Sequence, residues 1–210
     1  AINNYAVSQA TGDYLLFLNN DTQVISHNWI EEMLMYAQRE DVGAVGAKLY
    51  YGNDTIQHGG VILKFGADRV AGHSHCGSPR SGAGYMGKMF YAQDLSAVTA
   101  ACMMVPKDVF EKVNGFDETL AVAYNDVDLC MKIRELGKNI VFNPYCELYH
   151  YESLSRGKET EKKNRERFLE EKRLFLDRWQ SVLDKGDPYY NPNLSLDEGY
   201  AIDVDKLREE

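Results

Sequence analysis

The sequence has few cysteines, and none of them forms a close pair. Four cysteines occur among its 210 residues, at positions 76, 102, 130 and 146, with no C-x-x-C spacing. This distribution argues against a disulfide framework and against a zinc site built from paired cysteines. We expect reduced cysteines in a cytosolic, cytoplasmic protein, with two of them inside apolar runs of the core.

The sequence also lacks an excess of basic residues, and it lacks long hydrophobic runs. Lysine and arginine number 23 against 32 acidic residues, for a formal net charge of −9, and this balance disfavours nonspecific binding to nucleic acid. The longest apolar stretches, Tyr14 to Leu18 and Ala97 to Val105, are far shorter than the ~20 residues needed to cross a bilayer. The sequence therefore predicts a soluble protein with no nucleic-acid partner.

Apolar runs and helical patterns alternate along the chain, which indicates an α/β fold. Tyr14 to Leu18 and Val42 to Leu49 are continuous apolar runs, and the first predicts a strand buried on both faces, as in a parallel sheet. Between them, apolar residues from Trp29 to Ala37 recur at helical spacing. A glycine-rich, irregular region from about residue 51 to 94 precedes a further apolar run at Ala97 to Val105.

The second half of the chain continues this alternation. The predicted elements are a short helix from Pro106, a helix from Asp126 to Gly137, and short strands at Ile140 to Phe142 and Leu148 to Tyr149. Residues 157–183 carry many charges and one apolar stripe, which predicts a long helix packed against the rest. We expect a main domain over residues 1–156 and a helical extension with a tail over residues 157–210.

The first polar segment that could bind a ligand or a metal ion is Asn19-Asn20-Asp21, directly after the first predicted strand. Open α/β sheets bind their ligands at the carboxyl ends of strands. A carboxylate with an amide two residues earlier can hold Mg²⁺ or Mn²⁺ through oxygen. The same residues are also typical of a simple turn.

A second group is the acidic segment around the predicted helix start at Asp126. Asp126 and Asp128 can simply cap this helix, since carboxylates are favoured at helix N-termini. They lie two positions apart and so point to different sides of the helix. One of them can therefore cap or bind an arginine while the other faces a cleft as general base.

A third group begins with His150, after the strand Leu148-Tyr149. A lone histidine is often structural, but histidine is also the commonest ligand of transition metals. Arg156 follows in a Ser-Arg-Gly segment.

In this order, the segments resemble the GT-A-fold family 2 glycosyltransferases, especially their bacterial rhamnosyltransferase-like members. The resemblance runs from about Asn4 to Gly157. It is carried by Gly12 to Thr22, Val98 to Cys102, Gly115 to Glu118, Asn125 to Cys130, and Tyr149-His150. It implies a GT-A fold, a nucleotide-diphospho-sugar as donor substrate, and a divalent cation, Mg²⁺ or Mn²⁺, as cofactor.

By this resemblance, Asp21 stands in the family's D-x-D motif and binds the cation that bridges the donor diphosphate, while Asn19 replaces the first Asp. His150 matches a position that completes the metal site. Asp126 matches the Asp of the family's Glu-Asp pair, with Asn125 in place of the Glu. Asp126 would be the general base that deprotonates the acceptor hydroxyl, and a single base implies inversion at the anomeric carbon.

The resemblance also implies further ligand contacts. On the donor side these are Asn4, Asn19 and Arg156, whose guanidinium suits a diphosphate; on the sugar and acceptor side they are Thr99, Asp117, Glu118 and Asp128. Thr99 and its alanine neighbours resemble the segment beneath the reacting sugar, or else form a tightly packed strand. The acceptor would be a saccharide or lipid-linked saccharide in bacterial cell-surface polysaccharide synthesis.

Family members begin with strands and a helix that carry the Asp that reads the nucleotide base, and this sequence starts after them. We expect an N-terminally truncated GT-A domain with weakened donor affinity and an exposed sheet edge that permits self-association. Basic residues of 156–178 would allow peripheral contact with the inner face of an anionic membrane, although a solvated helix face is the alternative.

Two other functions fit the same residues. A metal-dependent phosphohydrolase would use Asp21, Asp126 and His150 around a metal-activated water. A catalytically incomplete carbohydrate- or partner-binding fragment would bind an acceptor without metal or turnover. His73-Ser74-His75-Cys76 has metal-like composition but lacks a paired second half, and it can instead border the acceptor groove.

Overall fold

The structure, a computed structural model, describes residues 1–151 and 161–204, with the backbone alone at 161–163. The helices are α1 (Ile2–Gln9), α2 (Trp29–Ala37), α3 (Lys107–Lys112), α4 (Asn125–Glu135) and α5 (Glu161–Leu183). The strands are β1 (Tyr14–Leu18), β2 (Thr22–Val24), β3 (Val42–Tyr50), β4 (Ile56–His58), β5 (Val61–Leu63), β6 (Ala71–His73), β7 (Gln93–Leu95), β8 (Cys102–Pro106) and β9 (Asn139–His150). A short 3₁₀ segment spans Tyr85–Phe90.

The described strands form one mixed sheet and one small hairpin. The seven-stranded sheet has the order β1-β8-β3-β9-β2, with β4 added to β3 and β7 added to β9, while β5 and β6 pair separately. Only β3 and β9 run parallel among these pairs, and the others are antiparallel. The α/β prediction is confirmed.

Strand β1 differs from its prediction. It pairs antiparallel with β8, with Leu15 opposite Val105, and it is the end strand of the described sheet. Leu15 and Phe17 are buried, whereas Tyr14 and Leu18 are 38% and 43% exposed. The expectation of a strand buried on both faces in a parallel sheet was therefore wrong, because a short apolar run does not distinguish an edge strand from a central one.

Two further strand boundaries also differ. The two short strands predicted around Phe142 and Leu148 are one strand, β9, whose register against β3 shifts around Pro144. Proline lacks the N–H that a ladder needs, so it is accommodated at such an irregularity. The apolar run Ala97 to Val105 contributes to β8 only from Cys102, because Thr99 to Ala101 leave the sheet as a turn.

The sheet separates two layers of core. On one face, α2 packs through Met33 and Ala37 against β3, β8 and β9. On the other face, α3 and α4 pack through side chains that include Phe110 and Leu129.

Helix α5 joins this second layer. Its residues Phe175, Trp179 and Leu183 are buried in the same cluster as α4, so the amphipathic helix predicted for 157–183 is confirmed over Glu161–Leu183. In the described residues, no helix has the length and apolar character of a membrane span. The boundary after residue 156 falls in the part of the chain that is not described and stays a prediction.

Candidate active site

A cavity of about 580 Å³ opens beside the carboxyl end of β1. We call it the Asp126 cavity. Its lining comes from the ends of β1 and β9, from the turn before β8, from the start of α4, and from the glycine-rich region. The lining residues are Asn3, Asn19, Tyr51, Gln57, Phe65, Gly66, Gly72, His73, Cys76, Thr99, Ala100, Ala101, Phe116, Ala121, Val122, Asn125, Asp126 and His150.

His150 lines this cavity, and Asp21 lies next to His150. Strands β2 and β9 pair with Thr22 opposite His150, which brings the two side chains together. Asp21 Oδ1 lies 3.2 Å from His150 Nε2. The Asn19 side-chain amide lies 3.2 Å from the same nitrogen. Residues 131 positions apart in the sequence therefore form one polar group.

Gln57 fixes the tautomer of His150. The Gln57 amide nitrogen donates to the backbone carbonyl of His150 at 3.3 Å, so its oxygen is the atom that faces the imidazole Nδ1, at 2.7 Å. His150 Nδ1 must then carry the proton, so Nε2 of the neutral ring is an acceptor. It lies 3.2 Å from the Asn19 amide, which can donate to it, and 3.2 Å from Asp21 Oδ1. A metal-binding histidine is commonly held in this way by a partner on its other nitrogen.

The chemistry of these donors fits a divalent cation such as Mn²⁺, which accepts both oxygen and imidazole ligands. Asp21 offers a carboxylate oxygen and His150 an imidazole nitrogen, and the two atoms lie 3.2 Å apart. Among the described residues, no group of three or more His, Cys, Asp or Glu side chains is arranged to hold a metal alone. Magnesium-like cations commonly take one or two protein ligands and complete their shell with substrate phosphates and water.

Asp126 lies at the start of α4 and lines the cavity. Its Oδ2 accepts a hydrogen bond from the Ala100 N–H at 3.2 Å, and its Oδ1 accepts from the Val127 N–H at 2.9 Å. The turn that presents Ala100 is held in turn by His58, whose Nε2 accepts from the Thr99 N–H at 3.3 Å. Small side chains at Thr99 to Ala101 leave space in front of the carboxylate.

Asp128 lies on the other side of the same helix turn and is fully buried. Its Oδ1 accepts from Arg178 at 2.5 Å and from the Trp179 indole N–H at 2.9 Å, while Lys132 lies 3.1 Å from its Oδ2. Arg178 also binds Asp117 at 2.5 Å. We call Asp117, Asp128, Arg178 and Trp179 the Arg178 cluster. Hydrogen bonds from Thr119, together with Arg178, lower the pKa of Asp117 to about 2.

A second set of contacts ties α5 to the loop that precedes Asp126. Glu171 is buried, and its carboxylate accepts from the Ala123 N–H at 2.6 Å. Tyr124 adopts a left-handed backbone conformation with φ of 61°. Its ring packs against Phe168 and Phe175 of α5. The position of Asp126 thus depends on a helix about 45 residues further along the chain.

Four other predicted site residues, Asn4, Asp117, Glu118 and Asp128, are not among the residues that line the cavity. Asn4 bonds through its side chain to the backbone N–H and carbonyl of Phe116 and to Glu118. Its neighbour Asn3 lines the cavity instead. The structure thus places Asn4, Asp117, Glu118 and Asp128 in contacts within the fold. The donor, sugar and acceptor contacts that the resemblance implies for them stay predictions. Arg156 lies outside the described residues.

Several lining residues were not predicted as site residues. Gln57 sets the orientation of His150. In the sequence, Gln57 lies in a glycine-rich segment, which is only weak evidence for a functional site. His73 and Cys76 line the cavity, as expected if their segment borders the acceptor groove. His75 faces away from it, toward Tyr85 and Tyr200.

Some known proteins are similar to this chain in sequence, and others are similar to it in fold. The chain is 46% identical over 198 residues to the uncharacterized protein y4gI of Sinorhizobium fredii, covering 94% of this chain and 22% of that protein. It is 37% identical over 204 residues to the O-antigen biosynthesis protein RfbC of Myxococcus xanthus, covering 93% of this chain and 15% of that protein. The chain therefore spans less than a quarter of the length of either relative.

Two solved glycosyltransferase structures share the fold at low sequence identity. GalNAc-T7 with UDP, GalNAc and Mn²⁺ superposes with a TM-score of 0.61 at 12% identity, over 86% of this chain and 34% of that one. The mannosyltransferase PcManGT from Pyrobaculum calidifontis, in complex with GDP-Man and Mn²⁺, gives 0.51 at 13% identity, over 87% and 46%. The GT-A fold prediction is confirmed.

The family model described as glycosyl transferase family 2 matches residues 3–113. The match includes Asp21 and ends before Asp126 and His150. These last two residues line the same cavity in the structure. The chain belongs to glycosyl transferase family 2.

Proposed function

We propose that this chain carries the metal and acceptor side of an inverting glycosyltransferase that uses a nucleotide-diphospho-sugar. The observation that carries the proposal is that His150 and Asp126 line one cavity and that Asp21 lies 3.2 Å from His150. The donor diphosphate would lie at Asp21 and His150. The acceptor hydroxyl would lie between the donor sugar and Asp126.

Asp21 and His150 would hold a divalent cation, Mg²⁺ or Mn²⁺. When bound, such a cation neutralises the charge that develops on a departing diphosphate. Gln57 would keep His150 Nε2 unprotonated in the neutral ring, and that nitrogen lies 3.2 Å from Asp21 Oδ1. The two structural neighbours that contain Mn²⁺ together with UDP or GDP-Man support this choice.

Asp126 would act as general base. A sugar hydroxyl is a poor nucleophile until it is deprotonated, and a carboxylate within hydrogen-bond reach can take its proton. Asp126 is the one Asp or Glu among the described lining residues, so a second carboxylate for a covalent sugar intermediate is not at hand in this part of the chain. Direct displacement by the acceptor inverts the anomeric configuration.

One relative supports the proposed acceptor class. The relationship to an O-antigen biosynthesis protein supports a role in bacterial cell-surface polysaccharide synthesis, with a saccharide or a lipid-linked saccharide as acceptor. We propose a cytoplasmic location, at or near the inner face of the membrane, where such acceptors are built.

The test is calorimetric titration of UDP, GDP or dTDP into the 210-residue chain, with and without Mn²⁺. We expect binding that requires the cation and is abolished by Asp21→Ala and by His150→Ala. Asp13→Ala is the matched control, because Asp13 is an exposed carboxylate just before β1, and this variant should bind like the wild type.

Each other outcome has a distinct meaning. Binding that survives Asp21→Ala would contradict the proposed metal site. No cation-dependent binding by the wild type would contradict a donor-phosphate site in this chain and favour the carbohydrate- or partner-binding fragment. Release of inorganic phosphate without an acceptor would favour the phosphohydrolase.

A further inference from the structure

A second cavity, of about 700 Å³, lies apart from the Asp126 cavity and shares no lining residue with it. We call it the Lys48 cleft. It is formed by the end of β3, the irregular middle of β9 around Pro144, parts of the glycine-rich region, and the 3₁₀ segment. The residues that line it are Lys48, Asp54, Pro79, Arg80, Ser81, Met89, Phe90, Pro144, Tyr145 and Glu147.

Lys48 is a buried cation in this cleft, with 2% of its surface exposed. Within the described residues, its ammonium donates one hydrogen bond, to the Met89 carbonyl at 3.1 Å. It also lies 5.3 Å from the centre of the Tyr50 ring and 5.8 Å from that of Phe90. An ammonium has three N–H donors. Lys48 therefore has donor capacity left over for a ligand oxygen in the cleft.

The charges around Lys48 are balanced. Lys48 and Arg80 face Asp54 and Glu147, with Arg80 3.4 Å from Asp54 and 3.6 Å from Glu147. Tyr50 donates a short hydrogen bond to Glu147. Two cations and two anions line the cleft, so it carries no net formal charge. This balance disfavours a phosphate or other strongly charged ligand and favours an uncharged ligand with many hydroxyl groups.

The walls of the cleft are aromatic and partly open to solvent. Phe90 and Tyr145 are 53% and 54% exposed. The Tyr145 hydroxyl donates to the Phe90 carbonyl at 2.9 Å, which holds the two residues together. Pro79 and Pro144 add rigid apolar surface. Sugar rings combine apolar C–H faces with a rim of hydroxyls, and this mixture matches rigid aromatic walls over a polar floor.

We propose that the Lys48 cleft is a second binding site, for a neutral saccharide, separate from the site of transfer. The ring of the bound sugar would lie against Phe90 and Tyr145. Its hydroxyls would accept from Lys48 and Arg80 and donate to Asp54 and Glu147. Binding here needs neither a cation nor a nucleotide, so it is tested independently of the proposed function.

The probe is an array of neutral bacterial oligosaccharides, screened with the 210-residue chain in the absence of metal and nucleotide. The strongest binder is then titrated by calorimetry. We expect binding that Phe90→Ala weakens about tenfold or more, through the lost ring contact, and that Lys48→Met also weakens. Phe90 is more than half exposed, so its substitution leaves folding intact.

Two controls locate the site. Tyr91→Ala removes an aromatic residue that is next in sequence, 43% exposed and outside the cleft lining, and should leave binding unchanged. Asp21→Ala should also leave it unchanged. The proposal is overturned if no neutral glycan binds, or if the strongest binder is insensitive to Phe90→Ala. Loss of binding in Asp126→Ala with retention in Phe90→Ala would place the saccharide in the Asp126 cavity instead.

Discussion

The two sides of the first turn of α4 have opposite environments. Asp126 faces the cavity, where its partners are the N–H groups of Ala100 and Val127. Asp128, two residues later, is fully buried against the guanidinium of Arg178 and the indole of Trp179. An aspartate thus lines the Asp126 cavity on one side of the helix, and another aspartate attaches α5 on the other side.

This difference shows that two carboxylates in one short acidic segment can have different roles. A general base needs space in front of its carboxylate and freedom from a permanent cation. A buried carboxylate needs the opposite, since its charge must be fully paired. Substitutions on the two sides should therefore change different measured quantities: catalytic rate on the side of Asp126, and stability on the side of Asp128.

The largest expected effect is that of Asp126→Asn on catalysis. In a longer protein that contains this chain, we expect kcat for sugar transfer to fall by about 10²–10⁴-fold, because the amide cannot take the acceptor proton. The free energy of unfolding should stay close to that of the wild type, because asparagine can still accept from Ala100. Asp13→Asn, at an exposed carboxylate outside the cavity lining, is the control and should change neither quantity. Unchanged kcat in Asp126→Asn would remove Asp126 as the base.

Asp128→Ala should have the largest effect on stability. It leaves the buried Trp179 N–H without its acceptor and removes the anion between Arg178 and Lys132, so we expect the free energy of unfolding to fall by about 3 kcal/mol. Urea denaturation of the chain measures this change. Asp128→Asn keeps an acceptor for Trp179 and should lose less. Equal losses in the two variants would contradict the role assigned to the indole hydrogen bond.

Trp179→Phe gives a smaller and more specific change on the same side. It deletes the indole hydrogen bond to Asp128 and retains an aromatic ring in the core. We expect a loss of about 1.5–2 kcal/mol in the free energy of unfolding. Nucleotide binding in the presence of Mn²⁺ should persist, since Asp21 and His150 are untouched. A defect in binding without loss of stability would show that α5 contributes directly to the site.

The smallest expected effect concerns acid unfolding. The pKa of Asp117 is lowered from its ordinary value of 3.8 to about 2 by Thr119 and Arg178. A depressed carboxylate pKa stabilises the folded state fully above pH 3.8, and this contribution is lost as pH falls toward 2. The free energy of unfolding of Asp117→Asn should thus fall less steeply over this range than that of the wild type. Identical slopes would show that the ion pair is not maintained in solution.

The sequence allowed the family and the α/β fold to be predicted. It also singled out Asn19, Thr99, Asp126 and His150, which line the Asp126 cavity, because each lies in a local pattern. Asp21 follows an apolar run, and Asp126 starts an amphipathic helix. The idea that one of Asp126 and Asp128 binds an arginine was also confirmed, but its partner could not be named. Arg178 lies 50 residues from Asp128, and no local pattern reports such a pairing.

Other features could not be predicted for the same physical reason, because they depend on residues that are distant in the sequence. The edge position of β1 depends on which strands pair with it, and an apolar run of five residues does not contain that information. The placement of Asn3 in the cavity and of Asn4 against Phe116 depends on the rotation of α1 about its axis. Gln57 acts only because β4 brings it to His150, which is 93 residues away.

Anomalous diffraction at the manganese absorption edge, from crystals of this chain grown with Mn²⁺ and UDP, tests the central claim most directly. We expect a peak within about 2.0–2.3 Å of both the Asp21 carboxylate and His150 Nε2. We also expect the diphosphate to lie on the Asp126 side of that peak. A manganese peak away from these two side chains, or bound UDP without any peak beside them, would contradict it.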